Sequence, residues 1–227
     1  VVVAGYPKQM PPVQSLDAPV GAEHLVGSIH AYIESRFHVP QSELLVNYRS
    51  GEDLVAYART LGYPQRLMPD VPGRKLQLLA DPALIVLPPG LPVSPAWAEA
   101  LDPAKTVMTI LHQDSCSSQA NAVEARMVAA LAFLLRQCAA QELAPSSGAM
   151  SSFSDQDFVK YGLGVVTPHK AQRALVLAEL ARLFPQVPPT LLRESVDTVE
   201  RFQGGERHTI IVSFGVGDVD IIEGEEE

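Results

Sequence analysis

The chain has 227 residues, 47% apolar and 19% charged, which allows one large or two small buried cores and predicts a globular rather than a disordered chain. Its 17 Lys and Arg against 26 Asp and Glu give a net charge of -9, excluding a protein that coats phosphate over its whole surface, so any nucleic-acid contact must be local. Two cysteines, Cys116 and Cys138, exclude a disulfide framework and lack companions at zinc-ligand spacing, so the compartment reads as reducing and cytoplasmic.

The chain starts at Val1 inside an apolar run, with no initiator methionine and no signal-peptide pattern, as an interior cut would leave it. Val1 to Gly5 reads as a strand buried in a parallel sheet, stopped by Gly5 and then by Pro7, Pro11 and Pro12. From His24 to Phe37, Leu25, Ile29, Tyr32, Ile33 and Phe37 recur near helical spacing and predict a helix that Pro40 ends. Leu44 to Val46 restarts as a short strand. Nine of the 19 prolines fall between Gly62 and Pro103, where each removes a backbone donor and fixes φ, so this stretch is loop-rich connection. A short strand at Leu84 to Leu87 interrupts it, and Val107 to Leu111 is a better strand candidate.

Asn121 followed by Glu124 fits a capping box and predicts a long buried helix to about Gln141, with Cys138 a small core residue inside it. Its most apolar stretch, Met127 to Leu135, falls well short of the roughly 20 residues that span a bilayer, and no membrane segment is expected. Pro145 to Ser154 is small and polar and reads as a mobile loop. Leu163 to Val166 is the next buried strand; Thr167 then caps a helix with Pro168 as its first residue, running to about Phe184. Asp197 to Glu200 offers another cap, Gly204-Gly205 ends that helix after about two turns, and Thr209 to Phe214 is the last strand. Strands alternating with helices imply an α/β fold, a three-layer parallel sheet with helices on both faces.

Ligands of such a sheet bind beyond the carboxyl ends of its strands, where helix N-termini offer free N–H groups and a positive dipole. Thr167, His169, Lys170 and Gln172 place a hydroxyl, an imidazole, an ammonium and an amide at one such end, a cradle suited to a phosphodiester backbone. On periodicity alone, a capped helix with exposed polar residues is the favoured reading.

The order of motifs is more specific. Gly5-Tyr6-Pro7-Lys8-Gln9-Met10-Pro11-Pro12 resembles motif III of superfamily 1 helicases, and Asn47-Tyr48-Arg49-Ser50 resembles motif IV. Gly164 to Gln172 is similar to the motif after a second-domain strand, and Asp197 to Arg207 looks like motif V. Each alone is weak; four in order make a strong signal. The pattern resembles the branch that includes the nonsense-mediated-decay RNA helicase and its DNA-acting relatives, whose motor consists of two RecA-like P-loop NTPase domains.

The resemblance implies roles. Gln9 would sense the γ-phosphate, and Arg49 would act as an arginine finger across the cleft. Gly204 and Glu206 would approach the nucleotide, the glutamate accepting from the ribose. Thr167, His169, Lys170 and Thr198 would hold the phosphates of a single nucleic-acid strand, and Gln203 would link that track to the cleft. Taken singly, Arg49 equally fits a surface ion-pair residue, Gln9 a loop-capping amide and Gly204-Gly205 a plain helix stop.

Tyr6 departs from the pattern by standing where the family has an acid. No Gly-x-x-x-x-Gly-Lys-Ser/Thr loop occurs in the chain. ATP and Mg2+ are therefore expected in the full-length protein and not in this chain alone. Residues 1–43 would be the tail of a first RecA-like domain and 44–227 most of a second, truncated before motif VI, with the missing N-terminal RecA-like domain and a single nucleic-acid strand as partners. Two rivals are a RecA-like interaction module without motor function and a small-molecule enzyme on a doubly wound sheet. Against the latter stands the lack of a dinucleotide loop or of an ordered nucleophile, base and acid.

Overall fold

Residues 32–33, 36–37, 39, 42–142, 149–202 and 205–218 are described by the structure, a computed structural model. The expected strand Val1 to Gly5 and most of the helix over His24 to Phe37 lie outside these residues. Tyr32, Ile33, Arg36 and Phe37 are helical, and the Tyr32 and Phe37 rings meet edge to face at 6.0 Å. By packing, the chain divides into Val1–Leu45 and Val46–Glu227; the second unit holds every element described below.

Val46–Asn47 (β1) pairs in parallel with Met68–Pro69 (β2). The pairing starts two residues later than expected, and Leu44 is exposed. Between these strands Glu52–Thr60 form α1, which the sequence pattern did not reveal: Leu54 and Tyr57 are exposed, and only Val55 is buried. Glu52 and Asp53 at its start and Arg59 at its end suit the helix dipole.

The proline-rich stretch holds only short elements. Asp81 caps a single 3-10 turn at Pro82–Leu84, and Ala96–Ala100 form α2. Trp97 of α2 is buried, and its indole N–H donates to the Pro92 carbonyl at 2.7 Å, anchoring the connection to the core. The strands expected at Leu84 to Leu87 and Val107 to Leu111 do not form. Pro82 starts a turn that consumes Leu84, and Leu84, Val86 and Leu111 point to solvent rather than onto a sheet.

Ala122–Cys138 form α3, whose start is fixed by the Asn121 side chain accepting from the Val123 and Glu124 N–H groups. Cys138 is fully buried within it. Ala140–Glu142 (β3) then pairs antiparallel with Met150–Ser152 (β4), so the stretch expected as a loop to Ser154 ends in a strand; residues 143–148 lie outside the described ones. A helical turn, Asp155–Asp157, capped by Ser154, runs on as a π turn over Phe158–Gly162 and delivers the chain into Leu163–Thr167 (β5).

The remaining elements are Lys170–Leu183 (α4), Pro189–Ser195 (α5), Val196–Thr198 (β6), Val199–Phe202 (α6) and Thr209–Val212 (β7). Three expectations change. Thr167 ends β5 and His169 takes the N-cap position of α4; α6 is a single turn; β7 stops two residues before Phe214. Neither α5 nor β6 was anticipated; Pro189 stands in the first turn of α5, where its missing N–H costs nothing.

The sheet order is β6-β5-β7, all parallel, with Thr167 opposite Thr198 and Val166 opposite Val212. Leu163, Gly164 and Val165 of the central strand are buried, as a strand covered on both faces requires. α3 lies along α4, and the core joins their apolar residues to β5, β6, Phe158 and Phe184. This is the three-layer α/β arrangement with helices on both sides of parallel strands.

Candidate functional site

Parallel pairing puts the carboxyl ends of β5, β6 and β7 on one edge. Thr167 and Thr198 are register partners there, and both are buried. The Thr167 hydroxyl accepts weakly from the His169 N–H at 3.4 Å, and the Thr198 N–H donates to its neighbour Asp197 at 2.9 Å. His169 is half-buried and Lys170 exposed, so these two present polar groups to solvent at the start of α4.

Glu200 lies on the same edge. Its carboxyl is held below the usual range first by its own backbone N–H, then by the Thr198 hydroxyl, and also by the positive charge of Lys170.

Gln172 corrects one expectation. It is fully buried and takes no part in a solvent-facing cradle. Its carbonyl oxygen accepts from the Asn121 N–H at 2.7 Å, while its amide nitrogen donates to the Ser213 hydroxyl at 2.9 Å and to the Asn121 carbonyl at 3.3 Å. The Ser213 hydroxyl in turn donates to Glu124 at 2.8 Å, and the Gly215 N–H donates to the other oxygen of that carboxylate at 2.9 Å. Glu124 therefore does not close a capping box; it ties the start of α3 to the exit of β7. Asn121 also donates to Asp114 at 2.9 Å.

Arg49 stands on a turn built by Asn47, whose side-chain oxygen accepts from the N–H groups of Arg49 and Ser50 at 2.8 and 2.9 Å. Arg74 braces the same turn from below, donating to the Tyr48 and Arg49 carbonyls at 2.7 and 2.8 Å. The Arg49 guanidinium reaches the Glu206 carboxylate at 3.1 Å, with both side chains largely exposed. Glu206 is steadied by Arg207, which donates to the Glu206 and Glu194 carbonyls and lies over the Phe202 ring. Two residues picked from separate motifs thus meet at one place.

Gln9, Gln203 and Gly204 lie outside the described residues. Next in sequence after Gly204, the Gly205 N–H closes onto the Phe202 carbonyl at 2.9 Å. The sequence reading missed Asn47 and Arg74 as supports and Ser213 as a buried link. The Asn-x-x-Ser spacing was a usable signal for the first, because asparagine readily accepts from N–H groups just downstream.

Arg49 and Glu206 offer a cation for a phosphate and an acceptor for a ribose hydroxyl, and as an exposed pair they part at little cost. Among the described residues no group of three or more His, Cys, Asp or Glu could hold a metal ion, and none forms a glycine-rich phosphate loop. A cavity of about 590 Å³ lined by Leu79, Asp81, Glu99, Leu101 and Asp102 shares no residue with this edge.

Compared with known families, residues 28–217 match a profile described as AAA domain. No curated protein and no solved structure matches the chain.

Proposed function

The chain belongs to the AAA domain family, a helicase-like P-loop NTPase domain, and from that premise we propose that it is the second RecA-like half of an ATP-dependent superfamily 1 helicase or translocase. The branch proposed is that of the nonsense-mediated-decay helicase and its DNA-acting relatives. ATP and Mg2+ would be held chiefly by a first RecA-like domain that carries the phosphate loop and the acidic pair.

The observation that carries this reading is the contact between Arg49 and Glu206 at 3.1 Å. It joins the motif IV and motif V segments, far apart in sequence, at the stretch that leads into β7. ATP hydrolysis is the chemistry such a cleft supplies. Arg49 would leave Glu206 to neutralise charge on the transferred phosphoryl group, and Glu206 would turn to a ribose hydroxyl. Lys170 and His169, at the positive end of α4, would hold phosphates of a single DNA or RNA strand. Thr167 and Thr198, both buried, would serve from beneath, with Gln203 the link between track and cleft and Gln9 the γ-phosphate sensor.

Titration calorimetry of this chain with a non-hydrolysable ATP analogue is expected to show no binding tighter than millimolar, because the described residues supply only one face of the pocket. A micromolar site would overturn the assignment of the other face to a second domain. The alternative, a RecA-like module that binds nucleic acid or protein without turnover, is favoured by Tyr6 in place of the motif III acid and by the net charge of -9. Nucleic-acid-stimulated ATP hydrolysis by the chain together with its phosphate-loop domain decides between the two.

A further inference from the structure

We propose that Gln172 is the positioning residue of the strand cradle, locking the first turn of α4 so that His169 and Lys170 are held at the sheet edge. The proposal rests on the strand-binding reading given above. Gln172 occupies the third position of α4, two residues after Lys170, and is fully buried. Each of its amide atoms is committed: the oxygen to the Asn121 N–H, the nitrogen to Ser213 and the Asn121 carbonyl. One side chain thereby fastens the start of α4 to the start of α3 and to the residue that follows β7.

The surroundings are built around it. Gly215 is buried with φ +70°, and a Cβ there would stand 2.9 Å from both Cγ and Cδ of Gln172, so the chain leaving β7 wraps directly over the amide. Glu124 holds that wrap through Ser213 and the Gly215 N–H. Ser213 is itself pinned to the central strand, its N–H donating to the Val166 carbonyl at 2.9 Å. The α4 start has no side-chain cap of its own, so its orientation depends on this network rather than on local capping. A buried network with every partner satisfied is stiff, and stiffness is what a binding group aimed from a helix end needs.

The test is fluorescence anisotropy of short labelled oligo-dT and oligo-U at several salt concentrations, below the melting temperature of every variant used. Lys170→Ala is expected to weaken binding and to reduce the salt slope by about 0.7, one phosphate contact on a single strand. Gln172→Leu is expected to weaken binding about tenfold, the scale of one hydrogen bond, with the same loss of slope. Adding Lys170→Ala to Gln172→Leu should then change nothing further, which mere destabilisation would not produce. If Gln172→Leu does not fold, Ser213→Ala removes one of its partners and should give the same pattern at smaller amplitude. Unchanged affinity and slope in a folded Gln172→Leu or Ser213→Ala, full additivity with Lys170→Ala, or loss of fold in both variants overturns the positioning role. An unsubstituted chain that binds neither oligonucleotide overturns the strand-binding reading itself, and the positioning role with it.

Discussion

The guanidinium of Arg49 lies 3.1 Å from the carboxylate of Glu206, yet both side chains are mostly in solvent. Exposed pairs of this kind contribute little to folding. Arg49→Ala is therefore expected to move stability by ~0.5 kcal/mol or less, measured by urea denaturation. In an assembly with the phosphate-loop domain the same change should remove most nucleic-acid-stimulated ATPase while leaving nucleotide affinity largely intact. Unchanged turnover would remove the finger role.

Gly164 is the second residue of β5 and has no room for a side chain. A Cβ there would meet Phe202 Cζ at 2.6 Å, Ile210 Cδ1 at 2.7 Å and Arg207 Cγ at 2.9 Å. Gly164→Ala is expected to destabilise the chain by about 1–3 kcal/mol through overpacking. Phe202 and Arg207 lie on either side of Glu206 in the chain, so the displacement also reaches the Arg49–Glu206 pair. A melting temperature equal to that of the unsubstituted chain would refute the close packing.

Much of the second unit was legible from the chain. The strand at Leu163, the helix capped by Asn121 and the final strand at Thr209 announced themselves through buried apolar runs bounded by caps and turns. Helix α1 was not legible, because Leu54 and Tyr57 break the one-sided stripe that periodicity detects. The roles of Gln172 and Glu124 were misread for a related reason. A polar residue near a helix start looks solvent-facing in sequence, and only the exit of β7, some ninety residues from Glu124, reveals the buried partners Ser213 and Gly215.

The two thiols should behave differently. Cys116 is exposed, whereas Cys138 is buried in α3, and burial, with a smaller contribution from Asp81, pushes its thiol above the usual range. A chromogenic disulfide reagent is expected to titrate one thiol in the native chain and both in denaturant. Rapid reaction of two native thiols would show that α3 opens readily.

Acid should loosen the start of α3. The Asp114 carboxyl is held below its ordinary value by hydrogen bonds, first from Ser117, then from the Cys116 N–H and from Asn121. A folded pKa below the unfolded one makes the stabilisation present above the ordinary aspartate range and lost as pH falls through the folded value. Melting temperatures of Asp114→Asn and the unsubstituted chain should differ at neutral pH and converge as the solution becomes more acidic than the ordinary aspartate pKa. A gap that stays constant would mean that the charge of Asp114 contributes nothing.

Glu200 gives the sharpest check on the cradle. Its carboxylate engages the Thr198 hydroxyl and feels the charge of Lys170, so on the proposed strand-binding reading it would compete with an incoming phosphate for both. Glu200→Gln removes the negative charge while keeping an acceptor for Thr198. Binding of oligo-dT or oligo-U should tighten roughly two- to fivefold at low salt, with the gain fading as ionic strength rises, because the repulsion between exposed charges is screened. Tightening that persists at high salt would point to a rearranged backbone instead, and weaker binding would mean that Glu200 orders the edge for the strand rather than opposing it.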